Sequence, residues 1–229
     1  MLIKTGFVIA VGAAMFCAQT LCAQEDAPDH RLRRSAEVFH EIMAAPDRGI
    51  PHGVLDRSQC VVIVPGVKKA AFVVGAEYGR GFAVCRHQGD WGGPAAVRVS
   101  GGSFGAQIGA ESTDIVLLVM NQKGMDRLAS DKFTLGADAS AAAGPVGRTA
   151  AADTDASMTA EILSYSRARG AFAGIALDGT VISKDDSEDR KLYGRDVSNK
   201  AIIMGEVPAP TGGTPLRDEL ARVSPGYKR

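Results

Sequence analysis

The chain has 229 residues, of which 45% are hydrophobic and 23% charged, and 26 basic residues balance 26 acidic ones. This composition is typical of a globular protein and excludes a disordered chain, a collagen-like repeat and a disulfide-dense miniprotein. A net charge of zero gives no global positive field of the kind that nucleic-acid binding needs, so we expect no nucleic-acid partner.

The first residues have the pattern of a secretory signal peptide. Lys4 precedes the apolar run from Gly6 to Phe16, and Ala23 supplies a small residue before Gln24. The run is too short for a spanning helix, which needs about 20 apolar residues. We therefore expect residues 1–23 to be a signal peptide and the protein to be exported, either secreted or periplasmic. Whether the segment is cleaved or kept as an anchor stays open.

Export changes the interpretation of the four cysteines. Cys17 and Cys22 would leave with the signal peptide, and Cys60 and Cys85 would remain. In an oxidising compartment these two residues either form a disulfide or are two buried small hydrophobic residues, and the sequence leaves both alternatives open. Neither cysteine has metal-ligand spacing to another cysteine or a histidine, so we expect no metal site.

The segment from Asp29 to Ala45 is predicted to be an amphipathic helix that ends at Pro46, with Asp29 as its N-cap. Three arginines crowd its first turn, where the helix dipole prefers negative charge. Either the apolar face packs on the core with the arginines solvated, or the helix lies on an anionic membrane surface. In the second case the residues of the helix that would contact lipid are Arg31, Leu32, Arg33, Arg34, Phe39, Ile42 and Met43.

The rest of the chain alternates short β-branched runs with glycine-rich turns. Pro65-Gly66 predicts a turn after the first run, and Asp178-Gly179 predicts a hairpin. The acidic run 185–189 is expected to be a solvated surface, as runs of like charge usually are. Weak calcium binding there is the alternative. Strands are predicted at 60–64, 70–74, 82–85, 95–99, 104–108, 114–120, 162–166 and 172–182, close-packed irregular backbone at 137–149, and helices at 121–130 and 196–204.

No long helices alternate with these strands, so a parallel doubly wound sheet is not indicated. We expect an α+β fold with an antiparallel β-sheet or barrel-like core and flanking helices in a single domain over residues 24–205. A Pro/Gly-rich tail, residues 206–229, would carry a short terminal helix with Leu216, Leu220 and Val223 on one face.

The search for catalytic residues finds a single motif that needs discussion. Gly101-Gly102-Ser103-Phe104-Gly105 matches the G-x-S-x-G elbow of hydrolases, which requires an acid and a histidine further along the chain. All four histidines precede Ser103. We therefore expect no enzyme activity, no catalytic residues and no cofactor.

The glycine motifs, taken in order, resemble the SYLF domain family in its bacterial, exported branch. The resemblance runs from about Arg34 to Gly205. It is carried by Val64-Pro65-Gly66-Val67, Gly79-Arg80-Gly81, Trp91, Pro94, Gly102-Ser103-Phe104-Gly105-Ala106-Gln107-Ile108-Gly109, Leu135-Gly136-Ala137-Asp138-Ala139-Ser140, Gly144-Pro145-Val146-Gly147-Arg148, Ser164-Tyr165-Ser166-Arg167, Gly170-Ala171-Phe172-Ala173-Gly174 and Tyr193-Gly194.

The resemblance implies binding rather than catalysis. Eukaryotic SYLF proteins bind membrane lipids, phosphoinositides above all, through an amphipathic helix, and some bind actin. By this resemblance we expect a lipid-binding protein of the cell envelope that contacts anionic phospholipid through residues 31–45, with Lys68, Lys69 and Arg80 adding to the basic patch. The alternative is a structural or protein-interaction protein with an envelope or host partner and no direct lipid contact.

Overall fold

The structure is a computed structural model that describes residues 27–226 except 46, 148–158, 169–170, 176 and 212–213, with backbone alone for 70–75, 103–111, 168 and 214. The expected signal peptide lies outside the described residues. The helices are α1 (Pro28–Ala44), α2 (His52–Leu55), α3 (Gln122–Leu128), α4 (Asp186–Tyr193), α5 (Asn199–Ile203) and α6 (Thr214–Val223). The strands are β1 (Cys60–His87), β2 (Asp90–Val119), β3 (Lys132–Thr134), β4 (Ala141–Ala143), β5 (Ile162–Ala168), β6 (Ala171–Gly174) and β7 (Val181–Lys184).

One long antiparallel hairpin forms the centre of the fold. Strand β1 has 28 residues and β2 has 30, and they pair from Cys60 with Val119 to His87 with Asp90. Gln88 and Gly89 connect them with positive φ angles of 54° and 99°, as a two-residue primed turn requires. The six predicted strands between residues 60 and 120 are therefore parts of two. The turn predicted at Pro65-Gly66 is wrong, because these residues form an irregularity inside β1.

Strand β1 folds back so that its two halves lie side by side. The amide of Arg86 donates to the carbonyl of Gln59 over 2.7 Å, and the Cα atoms of Cys60 and Cys85 are 4.0 Å apart. Further along, a Cβ added to Gly79 would lie 2.7 Å from a methyl group of Val67. Glycine is thus required where the two halves approach most closely, which accounts for the Gly-Arg-Gly motif at residues 79–81.

The remaining strands complete a curled mixed sheet around this hairpin. Strand β5 pairs with residues 114–119 of β2, β7 pairs with residues 97–100, and β4 pairs in parallel with β5. The hairpin predicted at Asp178-Gly179 is wrong, although Gly179 does turn with φ +83°. Strand β6 before it pairs with β5, whereas β7 after it pairs with β2 and β3. The expected α+β class with a sheet core and flanking helices is confirmed.

Both faces of the sheet are covered. One face packs with α1 and α6 through Phe39, Leu216 and Leu220, and the opposite face packs with α3 and α5 through Met125 and Ile202. Because both sides are buried, the strands have continuous apolar runs rather than alternation. Cys60 and Cys85 form a disulfide, which confirms the first of the two alternatives for these cysteines.

The helix ends lie at residues that favour them, but the predicted N-cap of α1 is wrong. Helix α1 begins at Pro28 after Ala27, so Asp29 lies in the first turn and is not the N-cap. The Asn121 side chain accepts from the Gly124 amide and caps α3 as an N-cap residue should. Helix α6 begins at Thr214 as predicted. Among the described helices, none is long and apolar enough to cross a membrane.

Candidate functional site: helix α1 and its surroundings

The apolar face of α1 is part of the core. Leu32, Val38, Phe39 and Ile42 are completely buried against the sheet and α6, and Met43 is half-buried beside them. Of the apolar residues expected to contact lipid, Leu32, Phe39 and Ile42 therefore pack inside the protein in this conformation, and Met43 does so in part. Their role in lipid contact stays a prediction, and it would require the helix to leave the core.

The three arginines of the first turns of α1 have different environments. Arg33 is exposed, and the Arg34 side chain is 41% exposed and forms a surface ion pair of 3.0 Å with Glu37. Such a pair contributes little to stability. Arg31 is buried and bonds to the carboxylate of Glu188 in α4. Of these three arginines, Arg33 and Arg34 are thus the two that reach the surface, and Arg34 shares its charge with Glu37 there.

Arg31 belongs to a cluster with buried carboxylates that attaches the start of α1 to the sheet and to α4. We call it the arginine–carboxylate cluster. Arg80 of β1 lies 2.8 Å from the Asp185 carboxylate, and Arg98 of β2 lies 2.5 Å from it. The cluster consists of Arg31, Arg80, Arg98, Asp185 and Glu188. The expectation that Arg80 adds to a surface basic patch is therefore wrong, because its charge is paired inside the fold.

The acidic run 185–189 is the carboxylate side of this cluster, so its prediction as a solvated surface is also wrong. Asp185, Glu188 and Asp189 are each at most 1% exposed. Burial alone would raise the pKa of Asp185, but hydrogen bonds from Arg98 and Ser187 and the charge of Arg80 hold it well below its ordinary value. Three arginines that lie 87 to 157 residues away in sequence pair with Asp185 and Glu188, so the run itself does not show that it is buried.

Asp189 is the exception, because none of the arginines that the structure describes forms an ion pair with it. It accepts from the Ala96 amide and from the Asn199 side chain, each over 2.7 Å. Burial raises its pKa to about 7, assisted by the charges of Asp186 and Asp185 and opposed by those two hydrogen bonds. This carboxyl group therefore titrates near neutral pH and links α4, α5 and β2.

A second set of ion pairs attaches the other end of α1. Arg167 of β5 bonds to Glu41 of α1 and donates from Nε to Asp114 of β2 over 2.8 Å. Asp114 also accepts from the Gly66 amide over 2.8 Å. Helix α1 is therefore attached near both ends by ion pairs and along its length by apolar packing.

An open groove of about 300 Å³ runs between α1 and α6. The His40 ring and Arg222 both contact Glu219 there, at 2.9 Å and 2.5 Å. The carboxylates that line this groove already have cationic partners, so it offers little free charge. Its lining residues are Ala36, Glu37, His40, Glu41, Pro215 and Glu219.

The two lysines expected to add to the lipid site lie on β1, away from α1 in the sequence. Lys68 is exposed, and Lys69 is half-buried with its Nζ 3.1 Å from the Glu77 carboxylate. Only Lys68 of the two therefore presents an unneutralised charge among the described contacts.

Ser103 does not lie on a hydrolase elbow. Its backbone is in the middle of β2 and pairs with Gly75, whereas the elbow requires a turn from strand to helix. Its side chain lies outside the described residues. Over the part of the chain that the structure describes, no three His, Cys, Asp or Glu side chains could hold a metal ion together.

Residues 100–223 match the family model described as "Ysc84: Las17-binding protein actin regulator". The chain belongs to this family. The match confirms the resemblance to the SYLF domain family, which has the same domain. It runs from Ser100 within β2 to the end of α6, and it includes α4 with its carboxylates and the strands β3 to β7.

Three of the relatives with similar sequences are eukaryotic proteins. The chain is 38% identical over 171 residues to an SH3 domain-containing protein of Schizosaccharomyces pombe, covering 73% of this chain and 40% of that protein. It is 33% identical over 174 residues to Protein YSC84 of Saccharomyces cerevisiae, with coverage of 74% and 37%. It is 30% identical over 204 residues to SH3 domain-containing YSC84-like protein 1 of Xenopus laevis, with coverage of 86% and 61%. The chain thus spans less than two thirds of each of these relatives.

Proposed function

We propose that this Ysc84-family chain is a non-enzymatic binding protein of the cell envelope that docks on anionic phospholipid. One observation carries the proposal. Helix α1 keeps Arg33 and Arg34 at the surface although its opposite side is packed into the core. The expected signal peptide supports an exported location, and the family resemblance supports phosphoinositide-like head groups as ligands.

Docking of this kind leaves α1 in place. Full burial of a large apolar side chain contributes about 1.5–3 kcal/mol. Withdrawing Leu32, Val38, Phe39 and Ile42 from the core would therefore cost about 6–12 kcal/mol, which is comparable to the total stability of a domain. The buried ion pair Arg31–Glu188 and the partly exposed ion pair Glu41–Arg167 would be lost as well. We infer that α1 contributes its charges to the membrane contact and not its apolar face.

The test is sedimentation of the protein with liposomes of phosphatidylcholine alone or mixed with phosphatidylglycerol. Because each cation near an anionic surface contributes about 1 kcal/mol, or about fivefold in affinity, we expect changing both Arg33 and Arg34 to Ala to weaken binding by about 30-fold at low salt. The matched control changes Arg195 and Lys200 to Ala, which removes the same charge from another exposed surface. Arg31 is left intact because its loss would disturb the core.

The outcomes separate cleanly. Binding that requires anionic lipid, declines with salt and is lost in the Arg33/Arg34 variant but not in the control supports the proposal. Binding that is equal for both variants, or equal for neutral and anionic liposomes, contradicts it. Periplasmic or secreted location is tested separately, by fractionating cells and determining whether the N-terminus of the mature protein is Gln24.

The second candidate function is contact with a protein partner. The matching family is described as Las17-binding and actin-regulating, so partner binding by the relatives favours it. For this chain the partner would be an envelope or host protein, since actin is absent from the periplasm of a bacterium. Absence of liposome binding under every condition would favour this function over the first.

A further inference from the structure

The β1–β2 hairpin has a sharp bend, and the proposed function, which depends on α1, does not involve it. We define the bend as residues 68–78 of β1 together with residues 101–113 of β2. At its base Lys69 and Glu77 form an ion pair across the two halves of β1. Residues 70–76 connect these halves. Within this stretch Ala70 pairs with Ala110 of β2, and Val74 pairs with Phe104 of β2.

The bend is only two strands wide. Strand β2 pairs with β7 as far as Ser100 and with β5 from Asp114 onward. Between these points, in the pairings that the structure describes, β2 pairs with β1 alone. A two-stranded ribbon is only marginally stable in water, and proteins usually protect an unpaired edge with charged residues or proline.

The sequence of the bend has the opposite character. No charged residue occurs from 70 to 76 or from 101 to 110. In β1 the consecutive residues Ala71, Phe72, Val73 and Val74 are all apolar, so apolar positions fall on both faces of the ribbon. A strand with this pattern is usually covered on both faces. A second protein surface would cover one face or the edge, whereas a lipid surface can surround both.

The residues beside this uncharged stretch fit a lipid surface. Tyr78 is 51% exposed, although it is large and partly apolar, and Lys68 is exposed on the other half of β1. Tyrosine and lysine are the residues that proteins place at membrane–water interfaces, with an apolar body toward lipid and a polar end in water. Within the bend, the uncharged stretches 70–76 and 101–110 are therefore bordered by residues of the kind found at a membrane–water interface.

We propose that the bend enters the interfacial layer of an anionic membrane, and this rests on the proposed lipid-binding function. Its depth is limited to the head-group region, because an open strand edge would leave backbone groups without hydrogen bonds in the hydrocarbon core. The exposed arginines of α1 attract the protein to the surface, and the bend supplies the apolar contact that α1 cannot.

The test places a fluorescent reporter in the bend. In the variant Phe104→Trp, vesicles of phosphatidylglycerol that carries bromine near the head-group end of its acyl chains quench the new tryptophan. The parent protein supplies the background from Trp91, which is only 6% exposed. The matched control is Lys132→Trp on β3, at an exposed position that the proposal leaves in water. We expect strong quenching of the bend reporter and unchanged fluorescence of the control.

A second measurement tests the energetic contribution. Changing Val73 to Asp places a charge in the bend and weakens vesicle binding by about tenfold or more, since one large apolar side chain contributes at least that much. Circular dichroism melting verifies that the variant is folded. Tyr78→Ser serves the same purpose at an exposed position, where folding does not depend on the side chain.

The results distinguish the two proposals. If the parent protein does not sediment with anionic vesicles, the proposed function fails and the bend has no lipid ligand. If it sediments but Phe104→Trp is not quenched, the function stands and the proposal for the bend is overturned. An unquenched reporter together with concentration-dependent dimers in sedimentation velocity would identify a second copy as the occupant, and would also overturn it.

Discussion

Removing the Cys60–Cys85 disulfide should destabilise the protein by an amount that follows from the chain geometry. The two cysteines are 25 residues apart in sequence, and the bond closes this loop in the unfolded chain as well. The chain-entropy relation then gives a stabilisation of about 3.5 kcal/mol at 25 °C for a loop of this length. The native contact does not depend on the bond alone, because the Arg86 amide also donates to Gln59. We therefore expect the reduced protein to stay folded in water.

The assay is urea unfolding followed by circular dichroism, with and without dithiothreitol. With a slope of about 2 kcal/mol/M, the predicted difference moves the midpoint by about 1.5–2 M. A double variant with Ala in place of Cys60 and Cys85 is the control, because it removes the bond and must no longer respond to the reductant. A peptide map without reduction verifies that the two cysteines are joined.

Equal midpoints for the oxidised and reduced protein would refute this reasoning. They would mean that the unfolded chain gains no freedom when the bond is broken, or that the bond is absent. A response to dithiothreitol in the double Ala variant would show that the effect arises elsewhere in the protein.

Three further changes test other parts of the structure. The raised pKa of Asp189 means that the folded state binds this proton more tightly than the unfolded state, so its contribution is fully present below about pH 4 and lost as pH rises to about 7. Asp189→Asn should flatten the decline in melting temperature between pH 5 and 8, and parallel curves for the two proteins would contradict this. Arg31→Ala leaves Glu188 buried without that partner and should cost about 3–5 kcal/mol in urea unfolding, which Glu188→Gln in the same chain partly restores. Gly81→Ala forces a Cβ onto the Ile63 carbonyl and should cost about 1–3 kcal/mol or more, whereas Gly53→Ala, where an added Cβ meets nothing within 4 Å, should be neutral or slightly stabilising; equal effects would disprove the close approach of the two halves of β1.

The elements set by local signals were predicted well, and those set by distant pairing were not. The 3.6-residue apolar spacing predicted α1, and Asn121 marked the start of α3. The lengths of β1 and β2 could not be predicted, because Pro65-Gly66 also occurs in turns. Here Gly66 with φ +61° produces an irregularity that lets the strand continue. Only the pairing with β2, fifty residues further along, distinguishes the two structures.

The charged residues were misassigned for a related reason. A run such as Asp185 to Asp189 is usually solvated, because burying charge is costly without partners. Its partners Arg80 and Arg98 come from the two central strands and Arg31 from α1. The Gly79-Arg80-Gly81 motif is the one signal that could have indicated an inward arginine, since flanking glycines allow close backbone approach.

The location of the candidate lipid residues of α1, in the core or at a membrane, could not be predicted from the sequence. An amphipathic helix has the same spacing whether its apolar face packs on a core or on a membrane. In α1 the deciding facts are the complete burial of Phe39 and Ile42 and the pairing of Glu41 with Arg167. The bend differs because its apolar residues lie where β2 lacks a second strand partner in the described pairings. If lipid binding requires an apolar contact, it costs less at the bend than at α1, because nothing in the described core has to open.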